Sequence, residues 1–242
     1  MRALFTAVIV LVLFVAALAV LCETMLPAAA GRAVEYGFTA LVGEGAETHV
    51  TLTTVPAAKL LTGRVDRAAV EVKNLRAGGL TIDDTTATLE DVRVDVVALV
   101  TRREVALNGA RNLDVTFRLS EANLSKYLAS RLRGISDLKI TIAQGKAVAG
   151  GDAAIAGRTF SITLEGVFVV RGRSRVGLEA TGASVAGVSI PKALIDQLVA
   201  SSGWTADLVD FAALPVPMEV REVRVEPGFV IVHATAAEVK SY

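Results

Sequence analysis

The sequence predicts an α+β fold: a curved antiparallel sheet covered by a few amphipathic helices, preceded by an N-terminal transmembrane helix or signal segment. Three observations carry this reading. Apolar residues alternate with period two along most of the chain, a few stretches carry helical spacing with caps, and one long charge-free apolar run opens the sequence.

The opening run extends from Ala3 to Cys22, with Thr6 its only polar residue. As a helix it would span roughly 30 Å, the hydrocarbon thickness of a bilayer. Two fates fit it. A secretory signal peptide would use Ala28-Ala29-Ala30 as its small-residue cleavage site, whereas a signal anchor would be retained. The run exceeds the usual signal core, which favours the anchor. Arg2 precedes the run and Glu23 follows it, so the positive-inside rule expects the remainder outside the cytoplasm. Residues 1–30 are therefore read as a targeting or anchoring segment and 31–242 as a single α+β domain, since no linker or low-complexity stretch divides them.

Strands dominate the rest of the chain. Val105, Leu107, Leu113, Val115, Phe117 and Leu119 share one parity, with Glu104, Asn108, Asn112, Asp114, Thr116 and Arg118 opposite. This favours one long strand, although Asn108-Gly109 also suits a hairpin turn. The same pattern recurs in Leu138, Ile140 and Ile142; in Phe160, Ile162, Leu164, Phe168 and Val170; in Val176, Leu178 and Ala180; and in Val216, Met218 and Val220. Between Leu89 and Val92 the alternation slips by one residue, the signature of a β-bulge. Turns are expected at Gly145, Gly150-Gly151, Gly157, Gly172 and Pro227-Gly228. Strands with one apolar face imply a sheet that is wet on one side and needs a cover on the other.

Helices supply that cover. Gly31 to Val42 places Val34, Phe38 and Leu41 at helical spacing, and a short segment from Pro56 to Leu61 opens on a first-turn proline. The strongest helix is Ser120 to Leu132. Ser120 suits the N-cap, Glu121 the first turn, and Gly134 the stop, while Leu124, Tyr127, Leu128 and Leu132 form one stripe. Pro191 to about Ala200 forms another, with Leu194, Ile195, Leu198 and Val199 on one side.

Composition narrows the function. Lys+Arg and Asp+Glu both number 25 and hydrophobic residues make up 52%, which excludes a disordered chain and argues against a nucleic-acid binder. One cysteine excludes a disulfide scaffold. His49 and His233 stand far apart, without the His or Cys neighbours a metal site needs, so no metal or cofactor is expected. No nucleophile elbow, P-loop or dinucleotide fingerprint is present. Asp83-Asp84 and Glu90-Asp91 are adjacent carboxylates, which point to opposite faces of a strand and read as surface residues. Arg171, Arg173 and Arg175 read as a wet strand face or as contacts for anionic head groups. Trp204, Leu208, Phe211 and Leu214 form an apolar cluster, suited to the core or to the rim of an apolar opening.

Several segments in order resemble the LmeA-type family of bacterial phospholipid-binding proteins. They are Pro56–Asp66 (PAAKLLTGRVD), Asn74–Asp91 (NLRAGGLTIDDTTATLED), Val94–Arg103 (VDVVALVTRR), Arg118–Leu132 (RLSEANLSKYLASRL) and Val185–Val199 (VAGVSIPKALIDQLV). The family's Ser-Glu-Ala-Asp-Leu-Asn phrase is varied here to Ser120-Glu121-Ala122-Asn123-Leu124-Ser125. The resemblance implies an extracytoplasmic, non-enzymatic phospholipid binder, organised like tubular lipid-binding domains with a strongly curved sheet around a helix. Acyl chains are then expected around Leu124, Tyr127, Leu128, Leu194, Leu198, Trp204 and Phe211, with Arg171, Arg173 and Arg175 as head-group candidates. The expected partners are phospholipid and membrane, and no catalytic residue is implied. The alternative is a cell-envelope scaffold or protein-interaction module with a packed core.

Overall fold

The computed structural model describes residues 23, 25, 27–32, 34–35, 46–77, 79–102, 107–131, 135–143, 145–155, 158–191, 193, 207–213 and 216–240. Among them no helix is long and apolar enough to cross a membrane. The Ala3–Cys22 run lies outside the described residues, as do Phe38, Leu41 and all of the expected second helix beyond residue 193.

The described chain is mostly antiparallel sheet with few helices. In order it forms β1 (Glu47–Thr53), a 3-10 turn (Ala57–Thr62), β2 (Arg64–Ala77), β3 (Leu80–Val94) and α1 (Val96–Arg102). β4 (Leu107–Ala110), β5 (Asn112–Ser120), α2 (Glu121–Arg131), β6 (Ile135–Ala143) and β7 (Lys146–Ile155) follow. β8 (Arg158–Arg171), β9 (Arg175–Val185), β10 (Val188–Ser189), β11 (Asp207–Asp210) and a short 3-10 turn (Phe211–Ala213) come next. β12 (Glu219–Glu226), β13 (Phe229–Ala236) and β14 (Val239–Lys240) complete the series. The larger sheet runs β1-β2-β3-β5-β13-β12, with β4 pairing with both β3 and β14. The smaller runs β10-β9-β8-β7-β6, with β11 on β9. Neither closes into a barrel.

The chain divides into two compact units. The first is Met1–Glu71, Ala87–Leu113 and Ala237–Tyr242; the second is Val72–Thr86 and Asp114–Ala236.

In the first unit, helical residues between 23 and 35 lie against β1. Gly31 permits the approach, because a Cβ there would sit 2.9 Å from the Val50 carbonyl oxygen. Val34 is buried, and the Glu35 carboxylate accepts the Val50 N–H at 2.8 Å. The segment opening on Pro56 is a 3-10 turn with the proline at its N-cap, and Gly63 ends it at φ 73°. The expected slip in β3 is centred on Asp91, at φ 48°, and Val92 beyond it is buried. The long strand expected from Val105 is interrupted. Arg111 leaves the ladder between β4 and β5, donating its N–H to the Glu90 carbonyl at 2.9 Å and its guanidinium to Asp91 at 2.7 Å. The bulge in β3 therefore breaks its neighbour as well.

In the second unit the alternation of β5 holds, with Val115, Phe117 and Leu119 buried. Ser120 caps α2: its hydroxyl accepts the Asn123 N–H at 3.4 Å, and the Asp83 carboxylate accepts both the Ser120 N–H at 2.7 Å and its hydroxyl at 3.0 Å. Gly172 (φ 64°) and Gly228 (φ 82°) make the expected hairpin turns. Gly150-Gly151 does not; it lies inside β7. The reason is the partner strand. β6 shifts register between Ser136 and Lys139, with Asp137 at φ 53°, and a Cβ on Gly151 would come within 2.7 Å of Ile135. The glycine makes room for a bulge, not for a turn. Among the described residues the largest fully buried side chains are Leu124, Ile140, Ile142 and Val230, all in this unit.

Candidate functional site

Cross-strand partners in an antiparallel sheet share a face, so the register of the smaller sheet defines its apolar side. Successive rows across β6, β7, β8 and β9 are Ile142–Ala147–Gly166–Ala180 and Ile140–Ala149–Leu164–Ala183. Gly151–Ile162–Val185 and Ile135–Ala153–Phe160 follow. No charged residue occurs in these rows. β7 contributes only Ala147, Ala149, Gly151 and Ala153, a strip of small side chains between the ridges of Ile140 and Ile142 on β6 and Phe160, Ile162 and Leu164 on β8.

Burial along this face is graded. Ile140, Ile142, Ala147 and Ala149 are buried, whereas Ile135, Gly151, Ala153, Phe160, Ile162, Leu164, Ala183 and Val185 are only half-buried. Apolar ridges of this kind ordinarily fill a core, so a half-covered length marks a surface able to accept apolar atoms. At its open end stands Arg158, exposed, two residues before Phe160 and on the same parity of β8.

Helix α2 packs on β6 at the covered end. The Ser125 hydroxyl accepts the Ile140 N–H at 2.9 Å, and the Glu121 carboxylate accepts the Ile142 N–H. Gly228 links the same region, donating its N–H to the Ile142 carbonyl at 2.9 Å and accepting from Glu121 N–H at 3.1 Å. From the same helix the Tyr127 hydroxyl donates to the Leu208 carbonyl in β11 at 3.2 Å. Arg131 stacks on the Tyr127 ring at 4.8 Å.

Of the residues expected from sequence, Leu124, Tyr127, Leu128 and Phe211 are buried in the second unit, and Phe211 packs against Phe117 with ring centroids 5.2 Å apart and planes tilted by 46°. Leu194, Leu198 and Trp204 lie outside the described residues. Arg171, Arg173 and Arg175 do not alternate along one strand face: they straddle the β8–β9 turn, where Arg171 and Arg175 are cross-strand partners. Arg173 reaches Glu219 at 3.3 Å. This turn is the end of β8 away from Phe160, about 36 Å along the strand at the usual rise, so the arginines and the half-buried rows are not brought together. Arg158 and the small residues of β7 were missed from sequence. The Ala-Val-Ala-Gly-Gly-Asp-Ala alternation was the available signal, obscured by reading the glycine pair as a turn.

Three of the four acids in the adjacent pairs are engaged structurally. Asp83 holds Ser120, Asp91 holds Arg111, and Glu90 accepts from Asn112 at 3.0 Å and Arg67 at 3.2 Å. Those two hydrogen bonds, Asn112 first, keep the Glu90 carboxyl below the usual carboxylate range. His49 pairs with Glu35 at 2.9 Å and His233 with Asp114 at 3.2 Å. Among the described residues no three His, Cys, Asp or Glu converge as a metal site.

No curated protein and no solved structure matches the chain. The family model described as LmeA-like phospholipid-binding matches residues 23–235, which include β1 to β12, all but the last residue of β13, and α2. A match over that much of the sequence decides the assignment, and the chain belongs to the LmeA-like phospholipid-binding family.

Proposed function

We propose that the protein is a membrane-associated phospholipid binder acting outside the cytoplasm, which holds an acyl chain along the small-residue strip of β7 for lipid transfer or envelope maintenance. The observation that carries the reading is the half-buried, charge-free face of the smaller sheet. Ala147 and Ala149 of the strip are buried, so its half-buried length is the end at Gly151 and Ala153, flanked by Ile135 on β6 and by Phe160 and Ile162 on β8.

The smaller sheet is inferred to curl around α2. Four inter-strand steps from β6 to β11 span about 19 Å, yet α2, about 10 Å across, reaches both through Ser125 and Tyr127. The lipid phosphate would meet Arg158 at the open end. Binding without chemistry is the role proposed, supported by the structural engagement of Asp83, Glu90 and Asp91. The Ala3–Cys22 run, flanked by Arg2 and Glu23, supports a single pass with the folded part extracytoplasmic.

Native mass spectrometry of the full chain released from mild detergent tests the reading. Phospholipid should remain bound to the wild type and be lost from Ala153→Leu, which fills the strip, with little change in thermal stability. A wild-type chain that retains no phospholipid, or an A153L variant that retains as much, refutes it.

A further inference from the structure

The first unit carries a cluster of exposed aliphatic side chains that the lipid-holding face does not use. Val55 is 70% exposed, Leu61 69% and Val97 70%. Hydrogen bonds and one close backbone approach bring their segments together. The Val94 N–H donates to the Gly63 carbonyl at 2.8 Å, and Gly63 approaches so closely that a Cβ there would lie 3.1 Å from the Val96 side chain. This sets the turn bearing Leu61 beside the start of α1, which bears Val97. Asp66 accepts the Val55 N–H at 2.9 Å and the Lys59 ammonium at 3.0 Å, tying Val55 to the same turn. The Glu23 carboxylate accepts the Ala57 N–H at 3.0 Å, which adds Met25, 63% exposed, to the neighbourhood.

We propose that this tip is a membrane-docking surface whose occupant is the interfacial layer of a phospholipid bilayer. Two observations select a bilayer over a protein partner. Glu23, fixed on the turn, directly follows the charge-free Ala3–Cys22 run, so the chain leaves the tip into its most lipid-soluble segment. Of the cations in residues 54–67, Lys59 pairs with Asp66 and Arg67 with Glu90, while Arg64 stands exposed beside Gly63, placed to meet an anionic head group next to inserted aliphatic side chains. The inference rests on the membrane-associated reading above and adds to it a second contact, outside the sheet face that would hold the lipid.

The test uses the full chain in a Trp204→Phe background, reconstituted with vesicles of equimolar phosphatidylglycerol and phosphatidylcholine, the latter brominated on its acyl chains. Single tryptophans are placed by Leu61→Trp, Val97→Trp and, as the control, Glu47→Trp. Glu47 is exposed at the far end of β1, six residues from Thr53 and about 20 Å away along the strand. The probes at 61 and 97 should lose most of their emission to the brominated lipid and shift to the blue, while the probe at 47 keeps its emission. A chain that floats with the vesicles yet shows equal emission at all three positions overturns the tip and leaves the anchor standing. A chain that does not float at all overturns both.

Discussion

Replacing Gly63 by alanine tests whether one glycine holds the exposed tip of the first unit together. Gly63 sits at φ 73°, where an alanine costs roughly 1 kcal/mol in the left-handed region. The larger penalty is contact. The added Cβ would lie 2.1 Å from the Val94 carbonyl oxygen, a backbone atom that cannot rotate away. Relief requires the turn and β3 to separate, which gives up the 2.8 Å hydrogen bond from Val94 N–H to the Gly63 carbonyl, about 1 kcal/mol net and more if either group stays buried. A destabilisation of about 3 kcal/mol is expected for Gly63→Ala. Gly228→Ala supplies the reference: its φ is 82° but a Cβ there meets nothing within 4 Å, so only the backbone term of about 1 kcal/mol applies. Urea unfolding followed by circular dichroism measures both. Equal losses in the two variants would mean that the close approach to Val94 is not a constraint, and the reasoning about the tip would fail with it.

Acyl-chain length should govern affinity more than head-group identity. Removing two methylenes from the bound chain of a monomeric phospholipid should weaken binding by about 1.6 kcal/mol, roughly 15-fold, as measured by calorimetry, with no further gain once the chain exceeds the strip. Arg158→Ala should weaken binding of a phospholipid but leave a neutral diacylglycerol of the same chains unaffected in the same assay. Asp66 is held below the usual carboxylate range, first by the Val55 N–H and then by Lys59. Its contribution is complete above the ordinary aspartate pKa and is lost as pH falls through the lowered value, so the gap in melting temperature between wild type and Asp66→Asn should be present at neutral pH and close in acid. Ser120→Ala should cost about 1 kcal/mol, and Asp83→Ala combined with it should add less than the separate losses, because both remove one capping arrangement.

Much of the architecture was legible because it is local. The alternation through Val115, Phe117 and Leu119, the cap at Ser120 and the slip before Val92 each arise from residues within a few positions of one another. The features that the sequence hid depend on partners distant along the chain. Gly150-Gly151 looks like a turn until β6 is placed beside it, with Ile135 and Ser136 pressing on Gly151. Arg171, Arg173 and Arg175 read as one strand face because their spacing is regular, yet Gly172 at φ 64° folds them around a hairpin. The strip of β7 becomes a feature only through its register with Ile140 on one side and Leu164 on the other. An alanine has no ridge of its own. Its role is set by the taller neighbours that the chain delivers from elsewhere.

The bonds that Ser125 and Glu121 accept from the backbone of β6 also bear on edge-to-edge association between copies. A sheet with an apolar, half-covered face is prone to grow by recruiting strands from other copies, and its outermost strand is where recruitment begins. Here the outward N–H groups of Ile140 and Ile142 are already taken by side chains of α2, so no incoming strand can use those donors. At the opposite border β10 and β11 are only two and four residues long, short templates for strand addition. The sheet can therefore expose apolar surface while its borders offer poor templates to an incoming strand.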